Sequence, residues 1–192
     1  MTAVTVFGQG NMGKAIGGVL AKGGASVQVI GSGDTAAIEG EVVVLAVPYG
    51  ALSTIAAERA EQLKGRVVVD ISNPLDFATF DSLVVPSDSS AAAELAAALP
   101  ESKVLKAFNT TFAATLASGT VGESGQSTTV LVAGDDDAAK DQLISLVKAG
   151  GLGALDAGSL KRARELEALG FLQLALAVGE KVSWTGGFAV VA

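Results

Sequence analysis

The sequence predicts a Rossmann-type α/β fold: one doubly wound, mostly parallel sheet between helices, three layers in all. Three observations predict it. Short runs of β-branched residues alternate with segments of helical periodicity along the whole chain. The first such run closes on Gly8-Gln9-Gly10-Asn11-Met12-Gly13, a glycine loop between a strand and a helix. No repeat, linker or low-complexity stretch interrupts the 192 residues. Residues 1–192 therefore read as a single NAD(P)-binding domain with a C-terminal helix and a short tail.

Val4-Thr5-Val6-Phe7 makes the first strand. Asn11 to Lys22 follows as a helix, because Met12, Ala15, Ile16, Val19 and Leu20 recur at helical spacing, and Gly23-Gly24 ends it. Ser26 to Ile30 is a second strand. Only Gly31 to Glu41 separate it from the third, Val42 to Val47. A full helix does not fit there, which shortens the region that normally cradles the adenosine end of a dinucleotide. The third run is apolar throughout, as a strand covered on both faces should be. Pro48 opens a helix from Ala51 to Leu63. Val67 to Ile71 is a fourth strand, and Ser87 to Ser90 cap an alanine-rich helix to Leu99. Val104 to Phe108 and Thr128 to Ala133 are strands five and six. Asp135-Asp136-Asp137 caps a helix to Lys148, its charge suited to a helix N-terminus. Leu152 to Leu155 is a seventh strand, Leu160 to Gly179 a long last helix, and Phe188 to Val191 a further short strand or an ordered arm.

Charge and composition remove several function classes. The formal net charge is -7 with no dense Lys/Arg face, so no nucleic-acid partner is expected. The chain has no Cys and no His. That excludes thiolate nucleophiles, disulfides, zinc sites built on sulfur or imidazole, and histidine acid–base catalysis, and no metal is expected. The longest apolar stretch, Leu166 to Val178, is interrupted by Glu167 and Gln173 and is too short to span a bilayer. No membrane partner is expected. Met1 runs into a strand without a basic leader, and a cytoplasmic location is the default expectation.

The glycine loop carries the chemistry. Gly8 permits the tight turn, Gly10 lets the backbone approach a pyrophosphate, and Gly13 lets helix and strand pack closely. The helix N-terminus adds free N–H groups and a positive dipole. A tight turn with no ligand is the plainer alternative, but the flanking strand and helix favour binding. NAD-binding versions usually place Asp or Glu at the end of the second strand. Here that end is Ile30-Gly31-Ser32-Gly33-Asp34, with no carboxylate directly after the strand. Gly31 leaves room and Ser32 offers a hydroxyl for a 2′-phosphate, which leans to NADP, with NAD possible. Against this, no Arg or Lys follows, and Asp34 would repel a phosphate if it faced inward. Three more strand ends face the same crevice: Ala46-Val47-Pro48-Tyr49, Ser72-Asn73-Pro74 and Phe108-Asn109-Thr110-Thr111. Val47 and Pro48 suit the ribose–nicotinamide side, and Tyr49 and Asn73 suit polar contacts.

With those segments in view, the chain resembles the coenzyme F-420-dependent NADP oxidoreductases, in their short bacterial form. Gly8 to Gly13, Gly31-Ser32, Ala46 to Tyr49 and Lys106-Ala107-Phe108-Asn109-Thr110 carry the likeness. Val132 to Asp136 and Leu155 to Leu160 extend it over nearly the whole length. The fold is similar as well to the cytosolic domain of six-transmembrane metalloreductases. The resemblance implies hydride transfer between a nicotinamide and a deazaflavin or flavin. It implies pyrophosphate binding by Gln9, Gly10, Asn11 and Met12, nicotinamide contacts at Val47, Pro48 and Tyr49, and acceptor contacts at Phe108, Asn109 and Thr110. The family binds the 2′-phosphate with a Ser-Arg pair, and this chain keeps Ser32 but has Gly33 in the second place.

Hydride transfer between stacked rings needs proximity and orientation rather than a strong acid or base, so no catalytic residue is assigned. Two other functions are compatible with the residues: a non-catalytic redox sensor, and an imine or carbonyl reductase with Tyr49 or a Lys supplying the proton. The basic segment Lys161 to Glu167 reads as a solvated helix start paired with Glu165 and Glu167, in preference to an anion site. Trp184, with Gly186, Gly187 and Phe188, is expected in the core or an interface in preference to a pocket wall. The apolar last helix and tail allow a homodimer.

Overall fold

The structure, a computed structural model, describes residues 1–191. One seven-stranded sheet takes in all the strands among the described residues, in the order β2-β1-β3-β4-β5-β6-β7. The first half is built from β1 (Ala3–Phe7), α1 (Asn11–Lys22), β2 (Ser26–Ile30), β3 (Val42–Leu45), α2 (Leu52–Leu63) and β4 (Val67–Asp70). The second half comprises α3 (Ala91–Ala98), β5 (Lys103–Lys106), α4 (Ala113–Ser118), β6 (Thr129–Gly134), α5 (Asp137–Ala149), β7 (Gly153–Gly158) and α6 (Ala163–Val178). Neighbouring strands run parallel except β5 and β6, which pair antiparallel through Leu105↔Gly134 and Lys106↔Ala133.

Strand alternation sends side chains to two cores. Val42 and Val44 join Val4, Val6, Ile16 and Leu20 beneath α1, α4 and α5, while Val43 and Leu45 join Phe7, Leu52, Leu95 and Ala163 beneath α2, α3 and α6. α1 lies against its strand without a spacer: a Cβ at Gly13 would run into the Gly8 carbonyl oxygen.

β1 pairs with β2 on one side and β3 on the other, so the strand order reverses at β1. Ligands of open α/β sheets bind at such a reversal, outside the carboxyl ends of the strands. The chain between β2 and β3 forms no helix. Its backbone groups still need partners, and side chains supply them. Arg59 donates to the Asp34 and Ala36 carbonyls, Gln62 accepts from the Ile38 N–H, and Arg66 donates to Ile38 and Gly40. From β2, Gln28 donates to the Ala37 carbonyl and accepts from the Glu39 N–H.

Several boundaries move from the sequence expectation. β3 stops at Leu45, and a 3-10 turn over Tyr49–Ala51 precedes α2. β5 ends at Lys106, two residues before Phe108, because Phe108 takes a left-handed conformation with φ 64°. α4, unexpected from the sequence, starts where Thr115 bonds back to the Phe112 backbone and ends at Gly119, φ 81°. Phe188 to Val191 form no strand. The tail is held instead by the Gly122 N–H on the Thr185 carbonyl and the Phe188 N–H on Gln173 Oε1. No helix among the described residues is long and apolar enough to cross a membrane.

Candidate active site

Two cavities open on either side of the glycine loop. The larger, about 700 Å³, runs from Gly8, Gln9 and Gly10 past Gly31, Ser32 and Gly33. Its other wall is Ala46, Val47, Pro48 and Ala51 with one face of α2, from Thr54 and Ile55 to Glu58 and Arg59. The smaller, about 420 Å³, begins at Asn11 and Met12 on the first turn of α1. It is enclosed by Ile71, Asn73, Asn109, Thr111, Phe112, Leu174 and Trp184. Both volumes lie in the range of small-molecule sites.

The glycine loop is shaped by contacts at its ends and left open in its middle. A Cβ at Gly8 would collide with the Ala46 carbonyl, whereas a Cβ at Gly10 would meet nothing within 4 Å. No side chain caps α1 and no acidic residue occupies its first turn. The N–H groups and the positive end of the helix are thus presented to the cavity. Gly31 is a site of close approach, since a Cβ there would stand 2.8 Å from Gln9 Nε2.

Asn73 and Asn109 form the wall shared by β4, β5 and α6. Asn73 Nδ2 donates to the Asn109 carbonyl at 3.0 Å, and Asn109 Nδ2 donates to Asn73 Oδ1 at 2.9 Å and to the Leu166 carbonyl at 2.8 Å. α6 comes close enough only because of Gly170, where a Cβ would stand 2.8 Å from the Asn109 carbonyl oxygen. Behind this wall lies a buried ionic cluster. Lys106 Nζ is 2.7 Å from Asp70 Oδ2, 2.8 Å from Glu167 Oε1 and 2.6 Å from the Ser72 carbonyl, with all three charged side chains fully buried. Every N–H of the ammonium is used. Glu167 also accepts from the Ala91 and Ala92 N–H groups at the start of α3. Burial pushes its carboxyl above the ordinary value, and Lys106 only partly offsets that.

The predicted residues divide between several places. Gly8, Gln9, Gly10, Gly31, Ser32, Gly33, Ala46, Val47 and Pro48 line the larger cavity, and Asn11, Met12, Asn73 and Asn109 the smaller. Gly13 is buried beneath the loop and Pro74 behind the strand edge. Tyr49 faces a separate small groove between α2 and α3, where its hydroxyl donates to Glu94 at 2.6 Å. That bond, with some burial, pushes the phenol up to about 12. Phe108 sits wholly in the core, because its left-handed backbone turns the ring inward. Thr110 is buried under Gln173, whose side chain donates to its carbonyl. Thr111, Phe112 and Trp184 take the cavity positions instead.

Two sequence expectations are corrected. Glu167 is not part of a solvated helix face but caps α3 and binds Lys106 in the interior. Arg162–Glu165 is the exposed pair there, at 3.0 Å, and Arg164 donates to the Pro86 and Ser89 carbonyls. Trp184 is half-exposed rather than in the core, and it lines the smaller cavity, its ring 5.0 Å from that of Phe112.

Comparison with known proteins places this geometry. The family model described as "NADP oxidoreductase coenzyme F420-dependent" matches residues 25–74. The F420-dependent NADP reductase of Methanocaldococcus jannaschii is 36% identical over 174 residues, covering 88% of this chain and 76% of that protein. The chain belongs to the F420-dependent NADP oxidoreductase family. A putative F420-dependent NADP reductase from Arthrobacter sp. FB24 superposes with a TM-score of 0.85 at 25% identity, with 100% of both chains covered. The rat metalloreductase STEAP3 is 36% identical over 132 residues, 67% of this chain and 25% of that one. As a member of this family, the protein is an NADP-dependent oxidoreductase of Rossmann-like fold.

Arg59 and the cluster of Lys106, Asp70 and Glu167 belong to no sequence motif. The spacing of Ala51, Ile55 and Arg59 on one helical face was an available signal for the first. No local signal marks the second, whose members come from three elements distant in the chain.

Proposed function

We propose that the protein transfers hydride between NADP and a planar, deazaflavin- or flavin-like ring. Gly8, Gln9 and Gly10 with Gly31 to Gly33 hold the pyrophosphate and adenosine ribose, and Ala46 to Pro48 flank the way to the nicotinamide. The open space above Gly10 and the uncapped end of α1 fit a dinucleotide phosphate. The bound nicotinamide supplies or takes the hydride. Asn11, Met12, Asn73, Asn109, Phe112 and Trp184 position the acceptor ring and keep water away.

The observation that carries this reading is the character of the smaller cavity. The residues lining it carry no titratable group, and Tyr49 and the buried Lys106 are engaged elsewhere. Tyr49 is bound to Glu94 in another groove, and Lys106 is sealed among carboxylates. Such a cavity suits a reaction between two rings better than reduction of an imine or carbonyl, which draws a proton from a positioned acid.

Anaerobic stopped-flow absorbance with NADPH tests the assignment against deazaflavin, flavin, imine and carbonyl acceptors. Oxidation of NADPH by a ring acceptor is the expected result, with deuterium from deuterated nicotinamide retained on the ring carbon of a deazaflavin and lost to water from the ring nitrogen of a flavin. Turnover of imines or carbonyls alone would sink the proposal, and tight NADPH binding without any turnover would favour a redox sensor.

A further inference from the structure

The larger cavity contains one cationic side chain among its described lining residues, and it does not come from the β2 end. It is Arg59 of α2. Ala51 and Arg59 lie on the same helical face, eight residues and about 12 Å apart along the axis. Ala51 is beside Pro48, so Arg59 stands at the opposite end, against the turn that follows β2. Its NH1 donates to the Ala36 carbonyl at 3.0 Å and its NH2 to the Asp34 carbonyl at 2.6 Å. A guanidinium has five N–H groups, and only these two have acceptors among the described residues.

The ribose of the adenosine half meets a Rossmann sheet at the end of its second strand. We infer that Arg59 is the residue that reads the 2′-phosphate of NADP, acting with Ser32 from across the crevice. The inference rests on NADP being the dinucleotide of this cavity. The neighbouring acid does not preclude it: Asp34 Oδ1 accepts from the Ala36 N–H at 2.9 Å, so this carboxylate closes its own turn. Asp34 and Glu58 both line the cavity as opposing charges, and Asp34 has one of its two oxygens engaged in that turn. A guanidinium suits a phosphate through paired, charge-assisted hydrogen bonds. The turn has no helix of its own, and Arg59 both holds it and keeps spare donors in the cavity that Ser32 also lines.

Calorimetric titration of the intact protein with 2′-phospho-AMP (adenosine 2′,5′-bisphosphate) and with 5′-AMP separates the possibilities. The wild type should bind the bisphosphate about ten- to a hundredfold more tightly than AMP. Arg59→Met should abolish that preference while AMP affinity stays within about twofold, because the purine and 5′-phosphate contacts are untouched. Arg59→Lys should keep part of the preference, and Glu58→Gln should increase it. Unchanged preference in Arg59→Met would overturn the assignment and leave NADP as the cofactor. Equal loss of both ligands in Arg59→Met, with Glu58→Gln neutral, would also overturn it and make Arg59 a loop support only. A wild type with no preference would overturn the NADP reading itself, and the role of Arg59 with it.

Discussion

Lys106 and Glu167 meet at 2.8 Å in the interior, joining β5 to α6 with neither side chain exposed. Asp70, the register partner of Lys106 on β4, lies at 2.7 Å on the ammonium's other side. One cation thus compensates two carboxylates, and the positive end of α3 supports the second through the Ala91 and Ala92 N–H groups.

Lys106→Met leaves both carboxylates buried without a counter-ion. It should cost about 3–5 kcal/mol at neutral pH, read from urea unfolding. The loss should shrink in acid, where Glu167, already raised by burial, takes up its proton. A loss below about 1 kcal/mol at neutral pH would show that the cluster contributes little.

Glu167 sets a pH dependence. Burial raises its native value above the ordinary 4.5, so the folded protein keeps this proton to higher pH than the unfolded chain does. The contribution is complete below about 4.5 and falls as pH rises through the native value. Unfolding free energies of wild type and Glu167→Gln, measured from pH 4 upward (roughly where the unfolded carboxyl begins to titrate), should differ in slope. The wild-type advantage should decline with pH; a difference that grew with pH would contradict the sign.

Gly10 and Gly13 should separate binding from folding. Gly10→Ala meets no neighbour, and Gly10 has an ordinary φ of -72°. Stability should change by less than about 0.5 kcal/mol, while NADPH affinity falls because the methyl group enters the phosphate path. Gly13→Ala runs into the Gly8 carbonyl and should lower both. Thermal melts with and without NADPH distinguish the two.

Tyr49 donates to Glu94 outside the two main cavities, so Tyr49→Phe should leave single-turnover hydride transfer within about twofold. Stability should fall by less than about 1 kcal/mol, because the bond is largely exposed. A thousandfold loss of rate (on the order of a general acid's contribution) would make Tyr49 a proton donor after all.

Trp184 is the chain's only tryptophan and lines the smaller cavity. Acceptor binding should therefore change the intrinsic fluorescence, and NADPH bound at the loop should do so less. Trp184→Ala should weaken acceptor binding by about 1 kcal/mol, roughly fivefold, without altering NADPH affinity. An equal effect on both ligands would place the acceptor elsewhere.

What the sequence made legible was local. The strand–glycine loop–helix and the β-branched strands are set by neighbours in the chain, and the missing helix after β2 follows from its short length. Contacts between distant elements were not legible. The left-handed Phe108 sends its ring into the core, so an aromatic expected at the acceptor proved structural, while Phe112 and Trp184 reached the cavity. Glu167 has a surface-like pattern around it and is nevertheless buried, because its partner is a lysine on β5. Arg59 lies outside the local motif, because the cation of this cavity comes from the next helix and not from the residues after Ser32.

The antiparallel contact of β5 with β6 has a mechanical consequence. It is the shortest ladder in the sheet, with only two register pairs against four or five elsewhere. Lys106 belongs to one of those pairs and is tied through Glu167 to α6, which follows the seam in the chain. Under a pulling force the sheet would part between β5 and β6, were that line held by backbone bonds alone. The buried charge works there as a rivet, concentrating resistance where the ladder is thinnest.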